Sequence, residues 1–192
     1  MKDNSEVKYL KPDVGRDAPF AHGWLSSPEG KETLLSMGNA DSEIKDSTIE
    51  DQRKITQSFI DLENQRKQIT WVISLNGVSL GVVWIDLIEK HNVKPPSIHI
   101  MIGDTNFRRK GIGRNAISFA IDYAQNELGY KTIYSRHLKS NIPIEMLFKS
   151  FGFETDGNLY TDENGLVWQN VKLSYKKEDI EKNRTIRRDR YE

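Results

Sequence analysis

A basic segment that contains two glycines carries the densest chemical signal in the sequence. It covers residues 108–114, Arg-Arg-Lys-Gly-Ile-Gly-Arg, between a predicted strand and a predicted helix. Gly111 and Gly113 allow the backbone to turn tightly and to approach a ligand. The first N–H groups of the following helix have no partner within it and carry partial positive charge. The segment is therefore predicted to bind a phosphate or pyrophosphate group.

Two other interpretations of this segment remain open. One is a helix start with a solvated basic face. The other is a dinucleotide-binding fingerprint, because residues 111–116 fit the pattern G-x-G-x-x-G/A. Such a fold expects an acidic residue about 20 positions further on. The sequence has Tyr134-Ser135-Arg136 there, and Arg136 would suit only a 2′-phosphate. The segment also follows an antiparallel hairpin, which leaves room for few βαβ units.

A second motif begins at Asn141 and ends in Gly152-Phe153. It reads Asn-Ile-Pro-Ile-Glu-Met-Leu-Phe-Lys-Ser-Phe-Gly-Phe. Together the two motifs resemble the GNAT superfamily, the acyl-CoA-dependent N-acetyltransferases. Residues 108–113 are similar to that family's Gln/Arg-x-x-Gly-x-Gly/Ala loop, and the second motif is similar to its Asn-initiated helix with a terminal Gly-Phe. The resemblance covers residues 70–175.

Further short matches resemble one subgroup of this family. Ile102-Gly103-Asp104, followed by Phe107-Arg108, is similar to the subgroup that contains ribosomal-protein N-terminal acetyltransferases and some aminoglycoside acetyltransferases. Trp24-Leu25 resembles the same subgroup more faintly.

The resemblance implies acetyl-CoA as co-substrate and assigns residues to it. The backbone from Arg109 to Arg114 would hold the pyrophosphate, and the edge of the strand at 101–103 would pair with the pantetheine arm. The N–H of Met101 would face the thioester carbonyl. Asn141 would contact the pantetheine, or serve as a helix N-cap, or do both. The residues implied to bind the donor are Met101, Ile102, Gly103, Arg108, Arg109, Lys110, Gly111, Ile112, Gly113, Arg114, Asn141 and Phe148.

The acceptor amine needs a base, because an alkyl ammonium has a reference pKa of about 10.4. His99 lies two residues before Met101 and therefore on the same strand face. Asp86, on the preceding predicted strand, is the second candidate and His137 the third. A packed histidine and a solvated strand-end carboxylate are the structural alternatives for His99 and Asp86. His22 and His91 are interpreted as surface residues.

The sequence does not assign the general acid that would protonate the leaving thiolate. Many family members have a tyrosine at the position of Phe148, and phenylalanine cannot donate a proton. Tyr134, Tyr160, Ser150 or water would then serve, or the thiolate would leave unassisted, since a free thiol has a pKa of about 8.5.

The predicted elements indicate an α+β fold, that is, a mixed α/β arrangement. Helices come first, followed by an antiparallel hairpin at Asn76-Gly77, then strand, helix, strand, helix and a second hairpin at Asn164-Gly165. The resemblance implies a central, mostly antiparallel mixed sheet that splays between its fourth and fifth strands. We predict one domain over 1–175, with a helical acceptor-side wall at 1–65 and an acyl-CoA-binding core at 70–175. Residues 176–192 are predicted to be a charged tail.

Composition excludes several classes of function. The chain has 192 residues and no cysteine, so thiol nucleophiles, Cys-based zinc sites and disulfide scaffolds are absent. Lys+Arg and Asp+Glu are both 28, and this balance does not favour a nucleic-acid partner. No long apolar run predicts a membrane segment. We expect a cytoplasmic monomer or homodimer that needs no metal.

The predicted function is transfer of an acetyl group from acetyl-CoA to a primary amine of a small molecule or peptide by direct attack. Residues 40–65 hold seven acidic and three basic side chains, a balance of −4. An acidic wall favours a cationic acceptor, such as an aminoglycoside-like compound, a polyamine or a peptide N-terminus. The alternative is an acyl-CoA-binding module without catalytic activity.

Overall fold

An eight-stranded open sheet forms the centre of the protein. The computed structural model describes residues 6–175, and the tail predicted at 176–192 lies outside these residues. The strands are β1 (Val7–Leu10), β2 (Gln68–Leu75), β3 (Val78–Asp86), β4 (Ser97–Ile102), β5 (Thr132–Leu138), β6 (Glu154–Thr155), β7 (Tyr160–Thr161) and β8 (Val167–Ser174). The helices are α1 (Val14–Leu25), α2 (Pro28–Ser36), α3 (Ile49–Asn64), α4 (Ile112–Asn126) and α5 (Ile142–Ser150), with short 3₁₀ turns at Asp41–Glu43 and Thr105–Phe107.

The sheet is mixed. Its strand order is β1-β2-β3-β4-β5-β8-β6, and β7 also pairs with β8. Only β4 and β5 run parallel, whereas every other pair is antiparallel. The predicted class, a mostly antiparallel mixed sheet flanked by helices, is confirmed.

The parallel pair β4–β5 is joined only at its beginning. Ser97 pairs with Tyr134, whose N–H donates to the carbonyl of Pro96 over 2.9 Å. The hydroxyl of Ser135 donates to the carbonyl of Ile98 over 2.6 Å. Beyond these contacts the two strands have no paired residues. The predicted splay between the fourth and fifth strands is therefore confirmed, and it leaves backbone groups of β4 free to bind a ligand.

The two faces of the sheet have different coverings. Helix α4 packs on one face through the stripe that the sequence predicted, since Ile112, Ala116, Ala120 and Ala124 are buried there against strand residues. Helix α1 contacts both α2 and α3, and α1 and α3 also contact the sheet. The hairpin at Asn76-Gly77 is confirmed, because both residues have the positive φ of a type I′ turn, 52° and 82°.

The prediction for the first third of the chain was incomplete. Strand β1 precedes the helices and pairs antiparallel with β2, so 1–65 is not a purely helical wall. Helix α1 was not predicted, since Gly15, Pro19 and Gly23 interrupt its pattern. Asp13 caps it by accepting the N–H of Arg16.

Candidate active site

Two residues of the basic segment have a left-handed backbone conformation immediately before α4. Arg109 has φ 58° and Gly111 has φ 81°, and Gly111 is the N-cap of the helix. The apolar spacing of the sequence predicts a helix from Asn115 to Leu128, whereas α4 begins at Ile112. The earlier start places the free N–H groups of the first turn next to the basic segment, as an anion site requires.

A cleft of about 760 Å³ lies between this segment, β4, α5 and α2. We refer to it as the donor cleft. Of the residues predicted to bind the donor, those that line it are Met101, Ile102, Arg108, Arg109, Gly113 and Asn141. A Cβ atom on Gly113 would lie 3.8 Å from Ile100 and 3.9 Å from Leu147, so a larger residue fits the helix but grows into this cleft.

The other residues predicted for the donor lie around the cleft without lining it. They are Gly103, Lys110, Gly111, Ile112, Arg114 and Phe148. The Arg114 guanidinium donates to the Ser150 hydroxyl over 2.7 Å and lies over Phe151, which ties α4 to α5. Lys110 lies over the Phe107 ring at 5.1 Å.

Gly103 has a packing role. A Cβ atom at this position would lie 2.2 Å from the Trp24 ring, so the indole of α1 occupies the space that a side chain would need. The two short subgroup matches in the sequence, at 24–25 and 102–104, therefore meet in the structure.

The Arg108 side chain points to the end of β4. Its Nε and Nη2 donate to the carbonyl of Ile102 over 3.1 and 2.9 Å, and Nη2 donates to the Thr33 hydroxyl over 2.5 Å. Burial lowers the pKa of Arg108, against the opposing charge of Glu32. These hydrogen bonds join β4 to α2, and the predicted contact of Arg108 with the donor remains a prediction, which its place on the donor cleft supports.

Asn141 is the N-cap of α5. Its Oδ1 accepts the N–H of Ile144 over 3.3 Å, and its Nδ2 donates to the carbonyl of Ser36 over 2.9 Å. The predicted cap is confirmed. The predicted contact with pantetheine remains a prediction, which its place on the donor cleft supports.

The register of β3 against β4 determines which backbone groups of β4 face the opening. The N–H of Gly103 donates to the carbonyl of Leu80, and Met101 stands opposite Val82. Bonded residues alternate along an antiparallel pair, so Met101 directs its N–H toward β3, as Gly103 does. This N–H points away from the opening, contrary to the prediction that it faces the thioester carbonyl.

The alternate residues of β4 face β5. The carbonyl of Ile98 accepts the Ser135 hydroxyl, and the carbonyl of Ile102 accepts the Arg108 guanidinium. Ile100 lies between them in the same alternation. Its N–H and C=O therefore point into the opening where β5 has diverged, and Ile100 replaces Met101 as the candidate backbone donor.

A second cavity, of about 320 Å³, adjoins the donor cleft and shares Ser36, Met37, Ile100, Asn141 and Ile144 with it. We refer to it as the inner cavity. The catalytic candidates His99, Asp86 and His137 all line it, together with Phe148.

Asp86 and His99 form a pair in the inner cavity. The Asp86 Oδ2 atom lies 3.3 Å from Nε2 of His99, and the Ser97 hydroxyl lies 3.0 Å from the same nitrogen. The His99 ring stacks on Trp84 with centroids 5.1 Å apart. Because a carboxylate only accepts, Nε2 carries the proton of the neutral ring and Nδ1 keeps a lone pair. His99 is thus oriented as a proton acceptor.

Asp86 is 3% exposed, so it is not the solvated carboxylate that the sequence left open. Lys90 donates to its Oδ1 over 2.7 Å and to the side-chain carbonyl of Gln68 over 3.0 Å. Burial alone would raise the pKa of Asp86, but hydrogen bonds from His99 and Lys90 and their charges outweigh it and hold this pKa below its ordinary value. Asp86 is therefore ionised at neutral pH.

The remaining catalytic candidates are His137, which lines the inner cavity away from the Asp86 contacts, and the three possible acids. His137 is buried, with Nδ1 2.9 Å from the carbonyl of Leu138, and its ring is 6.4 Å from Phe148. Tyr134 lines neither the donor cleft nor the inner cavity, and Lys94 lies over its ring. The same is true of Tyr160 and Ser150. The structure thus brings none of the three candidate acids into the reaction space.

The acidic residues of 40–65 do not line the cavities. Phe59 is the residue of this segment in the inner cavity, and the donor cleft contains none of it. Several carboxylates serve local contacts instead: Asp41 pairs with Lys31, Glu63 pairs with Lys11, and Asp51 accepts the N–H and the hydroxyl of Thr48, the N-cap of α3. The acidic side chains of 40–65 therefore lie outside the donor cleft and the inner cavity.

Sequence reasoning missed two cations of the inner cavity. Lys90 lies in a polar connection without a motif. Arg136 appeared only as a partner for a 2′-phosphate in the dinucleotide interpretation, yet it lines this cavity and stacks on Trp168 at 3.8 Å. Lys90 follows Asp86 by four residues, and this spacing was the one available signal for their pairing.

Within residues 6–175 the sheet parts between β4 and β5, its only parallel pair, and a helix N-terminus and a cleft lie at the parting. Residues 9–154 match the family model of the acetyltransferase (GNAT) domain, and the chain belongs to this family. The protein is accordingly an acetyl-CoA-dependent acetyltransferase.

Known proteins resemble the chain over most of its length. An N-acetyltransferase 9-like protein of Nematostella vectensis is 26% identical over 162 residues, 80% of each chain. The microcin C7 self-immunity acetyltransferase MccE, solved with acetyl-CoA and AMP, has a TM-score of 0.74 at 21% identity, covering 91% of this chain and 96% of that one. The ribosomal L7/L12 α-N-protein acetyltransferase RimL, solved with coenzyme A, has a TM-score of 0.73 at 15% identity with the same coverage.

Residues 6–175 contain neither a candidate metal cluster nor a candidate membrane span. No group of three or more His, Cys, Asp or Glu side chains there could hold a metal ion. None of the helices in this part of the chain has the length and apolarity needed to cross a bilayer.

Proposed function

We propose that the protein acetylates a primary amine by direct attack of the amine on acetyl-CoA, with His99 as the base. The observation that carries this proposal is the Asp86–His99 pair in a cavity that opens into the donor cleft. An acyl-CoA-binding module without turnover has no need for a buried, oriented acid–base pair at this place.

The donor cleft fits the coenzyme in three respects. The first turn of α4 and Arg109 offer N–H groups and charge to a pyrophosphate. The unpaired edge of β4 offers backbone groups to the amide-bearing pantetheine arm. Gly113 leaves the space between Ile100 and Leu147 open for it.

His99 removes the proton that prevents the acceptor amine from attacking the thioester. At neutral pH only about one alkyl amine in a thousand is unprotonated and nucleophilic. The Nδ1 lone pair of His99 accepts a proton from the amine, and Asp86 holds the ring and stabilises its charged form. The N–H of Ile100 donates to the thioester oxygen as negative charge develops there, and one such donor is worth about 2.7–4 kcal/mol in the transition state.

The leaving thiolate needs no acid from the protein in this scheme. A thiol has a pKa of about 8.5, so the thiolate is a competent leaving group when the carbon–sulfur bond breaks. It takes a proton from water, and the proton that His99 accepted from the amine returns to the solvent. The burial of Phe148 against Phe153, with centroids 4.9 Å apart, gives this residue a packing role.

The test is release of coenzyme A on a panel of primary amines, combined with acetyl-CoA titration. We expect amine-dependent release by the wild type. Gly113→Leu fills the donor cleft and is expected to abolish both acetyl-CoA binding and release while the protein stays folded. Gly23→Leu is the matched control, because Gly23 is an exposed helical glycine whose Cβ would meet nothing within 4 Å. Acetyl-CoA binding without release on any amine would contradict the proposal.

A further inference from the structure

The inner cavity carries more positive than negative charge. Two cations, Lys90 and Arg136, line it with one carboxylate, Asp86, and the histidines His91, His99 and His137. Lys90 is already engaged by Asp86 and Gln68. The charge that remains uncompensated inside the cavity is therefore that of Arg136.

Arg136 is held in place by contacts that leave its charge available. Its guanidinium lies flat on the buried Trp168 indole at 3.8 Å. Its hydrogen bonds, from Nη1 to the carbonyl of His91 and to the Tyr160 hydroxyl, are both 3.4 Å long and both end on neutral oxygens. Within residues 6–175 no carboxylate forms an ion pair with it. A guanidinium fixed on an aromatic face is preorganised for a planar oxyanion.

Asp162 interacts electrostatically with Arg136, and this carboxylate lies outside the cavity lining. This carboxylate is already occupied, since it accepts the indole N–H of Trp168 over 2.7 Å and the backbone N–H groups of Asn164 and Leu166 over 2.9 Å each. On the cavity side, burial and the charge of Arg136 lower the pKa of His91. The positive field of Arg136 therefore reaches into the cavity.

The strand register places Arg136 opposite the proposed base. Ser97 of β4 pairs with Tyr134 of β5. His99 and Arg136 each lie two residues further along, so their side chains project from the same face on the two sides of the opening. A ligand that presents an amine to His99 has Arg136 across the opening from it.

From these observations we propose that the acceptor is a small amine that also carries an oxyanion, a carboxylate or a phosphate, and that Arg136 binds this oxyanion. The inference rests on the proposed function, because it names the acceptor class of that same site. A cationic acceptor meets two positive side chains and one carboxylate that is already paired. An amine that carries an oxyanion a few bonds away can place its amine at His99 and its oxyanion at Arg136.

The test compares matched amines under saturating acetyl-CoA. The anionic probes are O-phosphoethanolamine and β-alanine, which separate phosphate from carboxylate, and the reference probes are ethanolamine and putrescine. We expect kcat/KM for at least one anionic probe to exceed both references by about 10- to 100-fold, the effect of one charge-assisted contact. Arg136→Gln should bring this ratio close to one. Arg53→Gln, an exposed arginine on α3 outside both cavities, should leave it unchanged.

Binding to the coenzyme-loaded protein separates this inference from the proposed function. Calorimetric titration of O-phosphoethanolamine and β-alanine should detect a complex that Arg136→Gln weakens by a similar factor. Binding of this kind without turnover would overturn the proposed function and leave the oxyanion site standing. A preference for putrescine, or a ratio that Arg136→Gln does not change, would overturn the oxyanion site even if acetylation is observed.

Discussion

At the scale of single residues, the contacts of His99 are what identify it as the candidate base. His99 alone is an ambiguous feature of the sequence, because a histidine on a strand is commonly a packed one. The contacts of Nε2 with Asp86 and Ser97 leave Nδ1 as the acceptor, and the Trp84 ring fixes the plane of the imidazole. Orientation by a buried carboxylate is what turns this histidine into a candidate base.

Replacement of this residue gives the first prediction. His99→Gln keeps a hydrogen-bonding side chain of similar size but cannot take up a proton at neutral pH. We expect kcat/KM to fall by about 10²- to 10⁴-fold, the usual contribution of a general base, with acetyl-CoA affinity retained. Steady-state kinetics measures this loss, and acetyl-CoA titration is its control. An unchanged kcat/KM would assign proton removal to water or to another group.

At the scale of elements, Arg108 shows how the structure maintains an open strand edge. The splay frees the carbonyl of Ile102, and Arg108 satisfies it while also reaching Thr33 of α2. The side chain thus joins the end of the donor strand to the helical layer. This role follows from the splay and is invisible in the basic motif itself, where four cations appear equivalent.

Neighbouring arginines of that motif should therefore behave differently. Arg108→Met leaves a carbonyl without its partner, and we expect the free energy of unfolding to fall by about 1–3 kcal/mol. Arg109→Met, at an exposed position on the donor cleft, should leave stability unchanged and weaken acetyl-CoA binding, with a smaller dependence of the affinity on salt. Chemical unfolding and calorimetry at two salt concentrations distinguish the two variants. If Arg108→Met instead lowers the affinity for acetyl-CoA as much as Arg109→Met does, and leaves the stability unchanged, then Arg108 is a direct ligand of the coenzyme.

The elements themselves were largely predictable, and the reasons differ from case to case. The Asn76-Gly77 hairpin and the stripe of α4 follow from local rules of turn geometry and helical period. The splay came from the resemblance of the two motifs to a family, since no local rule describes the divergence of two strands. Strand β1 was missed because four residues among charges carry too little pattern.

At the scale of the whole molecule, the distribution of charge cannot be inferred from the composition. The net charge is zero, and residues 40–65 are acidic, yet the inner cavity is lined by Lys90 and Arg136. Counting charges along a helix does not reveal which side of it faces the cleft. The direction of Arg136 depends on the β4–β5 register and on Trp168, which are distant in sequence. The acceptor site was therefore the part that the sequence could least predict.

The Asp86 cluster connects β2, β3, β4 and the loop after β3, so its charge should contribute to the stability of the whole domain. The pKa of Asp86 lies below that of an ordinary carboxyl. The contribution of its charge to stability is therefore complete above about pH 3.9, the unfolded value, and is lost as pH falls through the lower folded value.

Asp86→Asn leaves Lys90 without its buried partner, and we expect the free energy of unfolding to fall by about 3–5 kcal/mol at pH 7. Urea unfolding at pH 7 and pH 3 should show this difference narrowing at the lower pH, because below about pH 3.9 the unfolded chain takes up a proton at Asp86 that the folded protein binds less readily. Asp41→Asn removes an exposed ion pair with Lys31 and should cost less than about 1 kcal/mol. A difference for Asp86→Asn that stays constant with pH would mean that the shape of the side chain, and not its charge, holds the cluster together.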